Sequence, residues 1–172
     1  MRAWAGVVDS GVMTAVGVRA GTQSDVNEIA RVHRLSRAWY YGKPADAEDG
    51  REELWAQLIA EPERVTHVAE SDGSLVGFIS ATRVSGQAST LELTALYVLP
   101  EQAGAGVGSQ LYEHFESERS DHEQGCLEVW SGNSRAITFY VNRGWIATTA
   151  TRPGPDGKDF VTYRLPAATS SL

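Results

Sequence analysis

The stretch Leu96-Tyr97-Val98-Leu99-Pro100-Glu101-Gln102-Ala103-Gly104-Ala105-Gly106-Val107-Gly108-Ser109 decides the fold. An apolar, strand-like run stops at Pro100, and three glycines then alternate with small residues. From there Val107, Leu111 and Phe115 recur at the spacing of one helix face. Glycines carry no Cβ, so the backbone can come close to a ligand. A helix N-terminus adds unpaired N–H groups and the positive end of a dipole, which suits a phosphate or pyrophosphate. Two familiar phosphate loops fit poorly. A P-loop needs a lysine after its last glycine, and none follows Gly108. A dinucleotide fingerprint needs Gly-x-Gly-x-x-Gly early in a βαβ unit, whereas these glycines stand at 104, 106 and 108, after antiparallel strands. A glycine-rich turn without a ligand is the plain alternative.

Around this loop the chain reads as one domain of mixed class. Its 172 residues suffice for a buried core, and 42% hydrophobic with 22% charged residues is ordinary for a globular protein. The net charge of −7 argues against a general nucleic-acid binder, which needs a basic surplus, and mildly favours a cationic acceptor. Cys126 is the single cysteine, so no internal disulfide or cysteine zinc cluster can form, and its apolar run Cys126-Leu127-Glu128-Val129-Trp130 points to packing. The histidines at 33, 67, 114 and 122 lack metal-ligand spacing, so no metal is expected, and surface or capping roles are. No apolar run approaches the roughly 20 residues that span a bilayer, and Asp9, Ser10 and Gly11 interrupt the N-terminus before a secretory core forms. The expectation is a cytoplasmic protein. Residues 1–15 read as a flexible tail, with Met13 an alternative start, and residues 167–172 as a short polar one.

Between the tails the order reads β-αα-βββ-α-β-α-ββ. Val16 to Ala20 is a short strand, and Thr22, Ser24 or Asp25 caps a helix bearing Val26, Ile29, Ala30, His33 and Leu35. That helix ends at Trp39-Tyr40-Tyr41-Gly42-Lys43-Pro44, and Leu54, Trp55, Leu58 and Ile59 signal a second. Asp72-Gly73 joins two strand-like runs, a hairpin signal. Ser85-Gly86-Gln87 turns into the strand that ends at Val98. Strand 126–130, helix 134–143 and a closing hairpin across 153–158 complete the order. The expected fold is a central, twisted, mostly antiparallel sheet of about seven strands flanked by about four helices.

The loop resembles motif A of the GNAT superfamily of acetyl-CoA-dependent N-acetyltransferases: strand, Pro, then Gln/Arg-x-x-Gly-x-Gly/Ala at a helix start. Gly106 and Gly108 match its two small positions, and Leu96-Tyr97-Val98-x-Pro100 its strand. Asn133-x-x-Ala136-x-x-Phe139-Tyr140-x-x-x-Gly144-Trp145 resembles motif B, one helix and one strand later. The resemblance covers nearly all of 16–165. It implies acetyl-CoA as cosubstrate, held by Leu96, Tyr97, Val98, the loop Ala103, Gly104, Ala105, Gly106, Val107, Gly108 and Ser109, and by Asn133, Ala136 and Tyr140. The motif's leading Gln or Arg falls on Ala103, a departure that shifts the hold onto backbone N–H groups, and Gln102 stands one residue early.

The resemblance also implies roles. Tyr140 points at the cofactor sulfur in the family, which makes it the proton donor, and Asn133 contacts the pantetheine arm. An alkylammonium of pKa near ~10 must lose a proton before it attacks a thioester. Glu92, a carboxylate in an apolar strand and 11 residues before position 103, has the spacing of the catalytic glutamate in the histone-acetyltransferase branch. Its role is proton acceptor, with an arginine ion pair as the structural alternative. The family opens its sheet between the fourth and fifth strands, which frees backbone near Tyr97 and Val98 as oxyanion donor. Trp39, Tyr40 and Tyr41 correspond to the acceptor-side loop and, with Glu92, are the candidate acceptor-binding residues, with Glu48, Asp49 and Glu52 adding charge nearby. A small primary amine or a protein N-terminal amine fits as acceptor. The family's habits allow a homodimer, although no segment announces an interface. A CoA-binding sensor without turnover is the alternative from another class.

Overall fold

The computed structural model describes residues 16–43, 49–84, 86 and 89–168. The expected N-terminal tail, the end of the C-terminal one, Pro44, Glu48, Ser85 and Gln87 lie outside the described residues. Seven strands form one sheet in the order β1-β2-β3-β4-β5-β7-β6. They are β1 (Gly17–Ala20), β2 (Arg64–Ser71), β3 (Ser74–Arg83), β4 (Thr90–Val98), β5 (Gln124–Trp130), β6 (Ile146–Pro153) and β7 (Asp159–Leu165). Four helices, α1 (Val26–Tyr41), α2 (Arg51–Ile59), α3 (Val107–Glu118) and α4 (Ser134–Val141), are described. All strand pairs are antiparallel except β4 with β5.

Local chemistry sets these boundaries. Asp72 and Gly73 both have positive φ, 51° and 74°, the twist-matched turn that joins β2 to β3. Helix α1 begins at Asp25, whose carboxylate receives the Thr22 N–H at 2.8 Å and two Arg19 bonds at 2.9 Å. It ends at Gly42, in left-handed conformation at φ 61°.

The sheet separates two apolar layers. On one face α1 and α2 bring Ile29, Val32 and Trp55 against Phe78 of β3, with the Trp55 and Phe78 rings edge to face at 4.9 Å. On the other, α3 buries Val107, Leu111, Tyr112 and Phe115. Trp145 ties this layer together: it is 2% exposed and donates to the Tyr112 hydroxyl at 2.8 Å. Three histidines depart from the expected surface or capping roles. His33 is half-buried and stacked on Tyr97 at 4.4 Å, because the helical period that carries Ile29 and Ala30 inward carries it too. His67 and His114 stack across β2 and α3 at 4.7 Å. Among the described residues no helix is long and apolar enough to cross a membrane.

Two irregularities position the site. Strands β4 and β5 pair only at Thr90↔Gln124, Leu91↔Gly125 and Glu92↔Cys126, then part. In β4, Ala81 pairs Leu93 while Ser80 pairs Ala95, so Thr94 is an extra, bulged residue. Strict alternation would set Glu92 and Tyr97 on opposite faces. The bulge brings both to the α1/α2 face and leaves Leu96 and Val98 toward α3 and α4.

The Asp25 carboxyl, bonded by Arg19, is pulled down to about 2. A carboxyl depressed in the folded chain stabilises it above the unfolded value near ~4, and that contribution disappears as pH falls toward 2. Asp25→Asn is expected to cost about 1–2 kcal/mol at pH 7 and much less near pH 2. Urea denaturation at both pH values checks this.

Candidate active site

The loop after β4 is built by its own turns. Leu99 N–H donates to Val76 O at 2.8 Å and fixes the strand end. Pro100 to Gln102 form a single 3-10 turn, and the Ala103 and Ala105 N–H groups return to Pro100 O (3.1 Å) and Gln102 O (3.2 Å). Gly104 and Gly106 then take φ of 89° and 87°, where a side chain is strained. The Cβ that residue 106 lacks would meet nothing within 4 Å. Gly106 caps α3 without a side-chain bond, and the first turn of α3 has no acidic residue.

The backbone N–H groups of Gly104, Gly106, Val107, Gly108 and Ser109 therefore have no acceptor among the described residues. Converging free amides at a helix start favour an oxyanion. Two arginines from the α4 region reinforce the preference. Arg135 Nη2 lies 3.7 Å from the Cβ position of Gly104. Arg143 donates to Ser109 Oγ at 2.8 Å, with its guanidinium 3.6 Å over the Phe139 ring. Gln102 lines the same cavity, so the side chain one residue before Ala103 does reach it. The cradle thus fits a diphosphate, with Arg135 placed to replace the charge that Ala103 lacks.

From the loop a cavity of about 240 Å³ runs along Leu96, Val98, Ala136 and Phe139 to Tyr140. A narrower one of about 120 Å³ shares Tyr40, Leu96, Ala136 and Tyr140 with it and enters the gap between β4 and β5. A third, of about 370 Å³, shares Tyr41, Tyr97, Glu128 and Phe160 with the second and opens on the α1/α2 face. The three make a passage through the sheet.

Each expected residue can be placed along it. Tyr140 is buried and walls the first two cavities; burial pushes its phenol far above the usual tyrosine value, so it stays protonated. Its hydroxyl makes no hydrogen bond among the described residues. Glu92 lines the third cavity, opposite Cys126, and makes no ion pair among the described residues, so the arginine alternative is absent there. Burial raises the Cys126 thiol, which keeps it a poor nucleophile.

Five placements differ from expectation. Hydrogen bonding along an antiparallel pair alternates, and Leu99 is bonded to Val76, so the Tyr97 N–H belongs to β3 while those of Leu96 and Val98 face the gap. The Val98 carbonyl confirms the parity by accepting Ser36 Oγ at 2.9 Å. Ala105 spends its amide in a turn and lines none of these cavities, and the Val107 side chain is core, leaving only its N–H to the loop. Asn133 lines the gap, but its Oδ1 caps α4 by accepting Ala136 N–H at 3.0 Å. Helix rotation of 100° per residue splits the aromatic trio. Tyr40 reaches the cofactor side and Tyr41 the acceptor side, while Trp39, 46% exposed, lies under Arg135 and outside all three cavities. Asp49 and Glu52 are bound by Arg34, at 3.3 and 2.8 Å, and bring no free charge.

Sequence reasoning missed His33, Arg37, Arg64 and Arg152, all in the wall of the third cavity. Trp55 Nε1 donates to His33 Nδ1 at 3.0 Å, and burial with Arg51 and Arg37 nearby pushes the imidazole down to about 3, so it is neutral. Nothing in the local pattern marks these residues, since α1, β2 and β6 meet only in the folded chain.

A glycine loop at a helix start, a split sheet and a buried phenol between them make up a site suited to a ligand that carries a diphosphate. The Acetyltransferase (GNAT) family model matches residues 29–145. The chain belongs to the GNAT acetyltransferase family. An uncharacterised N-acetyltransferase of Mycobacterium tuberculosis is 33% identical over 95 residues, 53% of this chain, and the match spans only 58% of that relative's length. Among solved structures, the PaiA N-acetyltransferase of Thermoplasma acidophilum in complex with coenzyme A has a TM-score of 0.70 at 22% identity, covering 87% of this chain and 98% of that one. The ribosomal-protein-S18-alanine N-acetyltransferase of Escherichia coli has a TM-score of 0.70 at 22% identity, covering 92% and 99%. At these identities the likeness is one of fold.

Arg135→Ala is expected to weaken coenzyme A binding about tenfold, about 1.4 kcal/mol, with a shallower salt dependence than the parent. Calorimetric titration at two ionic strengths checks this.

Proposed function

We propose that the chain is an N-acetyltransferase that moves an acetyl group from acetyl-CoA to a primary amine by direct attack in a ternary complex. One observation carries the reading: the open amides of the loop and the Tyr140 phenol share a passage that crosses the sheet to a free carboxylate, Glu92. The coenzyme A bound to the PaiA protein of the same fold supports the choice of carrier.

Acetyl-CoA supplies the acyl group as a thioester; the chain supplies orientation, charge and proton paths. The loop amides, Arg135 and Gln102 hold the diphosphate on the α3/α4 face. Leu96 and Val98 offer strand N–H groups to the thioester carbonyl oxygen, where negative charge develops. A fixed donor of that kind is worth about 2.7–4 kcal/mol of barrier. Glu92, on the other face, takes a proton from the ammonium, directly or through water. The amine nitrogen then bonds to the carbonyl carbon, the carbon–sulfur bond breaks, the Tyr140 hydroxyl gives its proton to the departing sulfur, and the second proton shed by the nitrogen restores the phenol. Glu92 and Tyr140 thus hold opposite proton duties at opposite ends of the passage.

Tyr140→Phe keeps the wall and removes the donor, so kcat is expected to fall about 100-fold while coenzyme A affinity stays within about twofold. Glu92→Gln is expected to lower kcat/KM by a similar factor, with the loss shrinking at high pH as the free amine becomes abundant. Thiol release across a panel of amines measures both. Binding of acetyl-CoA without release for any amine overturns the enzyme reading in favour of a CoA-binding sensor.

A further inference from the structure

The third cavity, on the α1/α2 face, holds an unusual balance of charge. Arg37, Arg64 and Arg152 face it, against Glu92 and Glu128. Most of these charges are already matched. Arg152 Nε lies 2.6 Å from Glu128 Oε2. Arg64, its side chain only 7% exposed, gives Nε to Glu61 at 2.9 Å and Nη1 to Ser80 and Thr94 at 3.2 and 2.8 Å. Arg37 and Glu92 remain, and neither forms an ion pair among the described residues. The Arg37 guanidinium lies 4.9 Å from the centre of the Tyr41 ring, which holds it without neutralising it. His33, neutral in this setting, adds no charge.

Among the described residues the cavity therefore offers one spare carboxylate and one spare guanidinium. A simple amine satisfies Glu92 and leaves Arg37 unmatched. A polyamine adds cations beside Arg37, which like-charge repulsion disfavours. An amine that carries its own carboxylate satisfies both: the ammonium at Glu92, the carboxylate on the planar fork of Arg37, which suits it better than a lysine would. Leu54, Leu58 and Phe160 give part of the remaining wall an apolar face, beside the polar Thr94 and the rings of His33, Tyr41 and Tyr97. Leu54 is 45% exposed, a large apolar side chain that stands open to solvent over almost half its surface. At about 370 Å³ the space is near the small end of ligand pockets, which suits a small molecule.

We propose that the acceptor is a zwitterion of the amino-acid type, a primary amine bearing a carboxylate on an apolar body, read at its two ends by Glu92 and Arg37. This rests on the acetyl-transfer reading above and names its substrate class. Arg37 is then a specificity residue that touches the acceptor away from the reacting atoms.

The test pairs each acceptor with a partner that lacks the carboxylate. L-Phenylalanine, L-methionine and L-leucine are compared with their amides and with 2-phenylethylamine, with spermidine as polycation, by thiol release from acetyl-CoA with the full chain. The expected result is a kcat/KM at least tenfold higher for at least one free acid than for its amide. In Arg37→Gln that ratio is expected to fall to near one, through a rise in KM for the acid, and Arg37→Lys to recover part of it. A merely structural Arg37 would lower acid and amide alike and leave the ratio in place, which overturns the proposal. Equal or faster turnover of the amides, 2-phenylethylamine or spermidine overturns it too, while the transfer reading stands. Binding of acetyl-CoA without thiol release from any acceptor sinks both.

Discussion

Everything in this site depends on two parallel strands that pair for three residues and then separate. Up to Glu92 and Cys126 the β4 and β5 backbones satisfy one another. Beyond that point Leu96 and Val98 have amides with no strand to bond, and the gap is walled by the aromatic rings of Tyr41, Trp130, Tyr140 and Phe160. Unpaired strand edges are ordinarily a liability. Here the edge lies inside the sheet, where no second chain can add to it and a ligand can. β5 stays ordered because its other edge is fully used, six consecutive pairs tying it to β7.

The gap matters because the chemistry is divided between the two faces of the sheet. The amide cradle, Arg135 and the phenol belong to the side covered by α3 and α4; Glu92, Arg37 and neutral His33 to the side covered by α1 and α2. An intact sheet would insulate one set from the other. The bulge at Thr94 completes the division, since one extra residue reverses the facing of everything after it. Were the strand regular through Thr94, Glu92 would point the same way as Leu96 and Val98, into the other half of the site.

Much of this was legible in the sequence, and the legible parts share a cause. Pro100, the alternating glycines and the Val107-Leu111-Phe115 period are local signals, and local backbone physics turned them into the expected strand, loop and helix. The order of elements followed in the same way, from periodicity punctuated by Asp72-Gly73 and Gly154. What escaped was parity and assembly. Whether Tyr97 or its neighbours offer free amides depends on registry with β3, which no single strand encodes. Trp39, Tyr40 and Tyr41 look like one cluster in the chain, yet a helix sends three successive residues three ways. The arginines of the acceptor wall come from three separate elements and carry no shared pattern. His33 was misjudged because its neighbours' burial, not its own polarity, decided where it went.

The cradle after Pro100 has one property that sets it apart from the rest of the passage. Its donors are peptide amides and guanidinium groups, none of which gains or loses a proton across the range in which cells live. Capture of the carrier is therefore indifferent to acidity, apart from what the carrier's own phosphates do. A dock of this kind stays armed whatever the acidity around it.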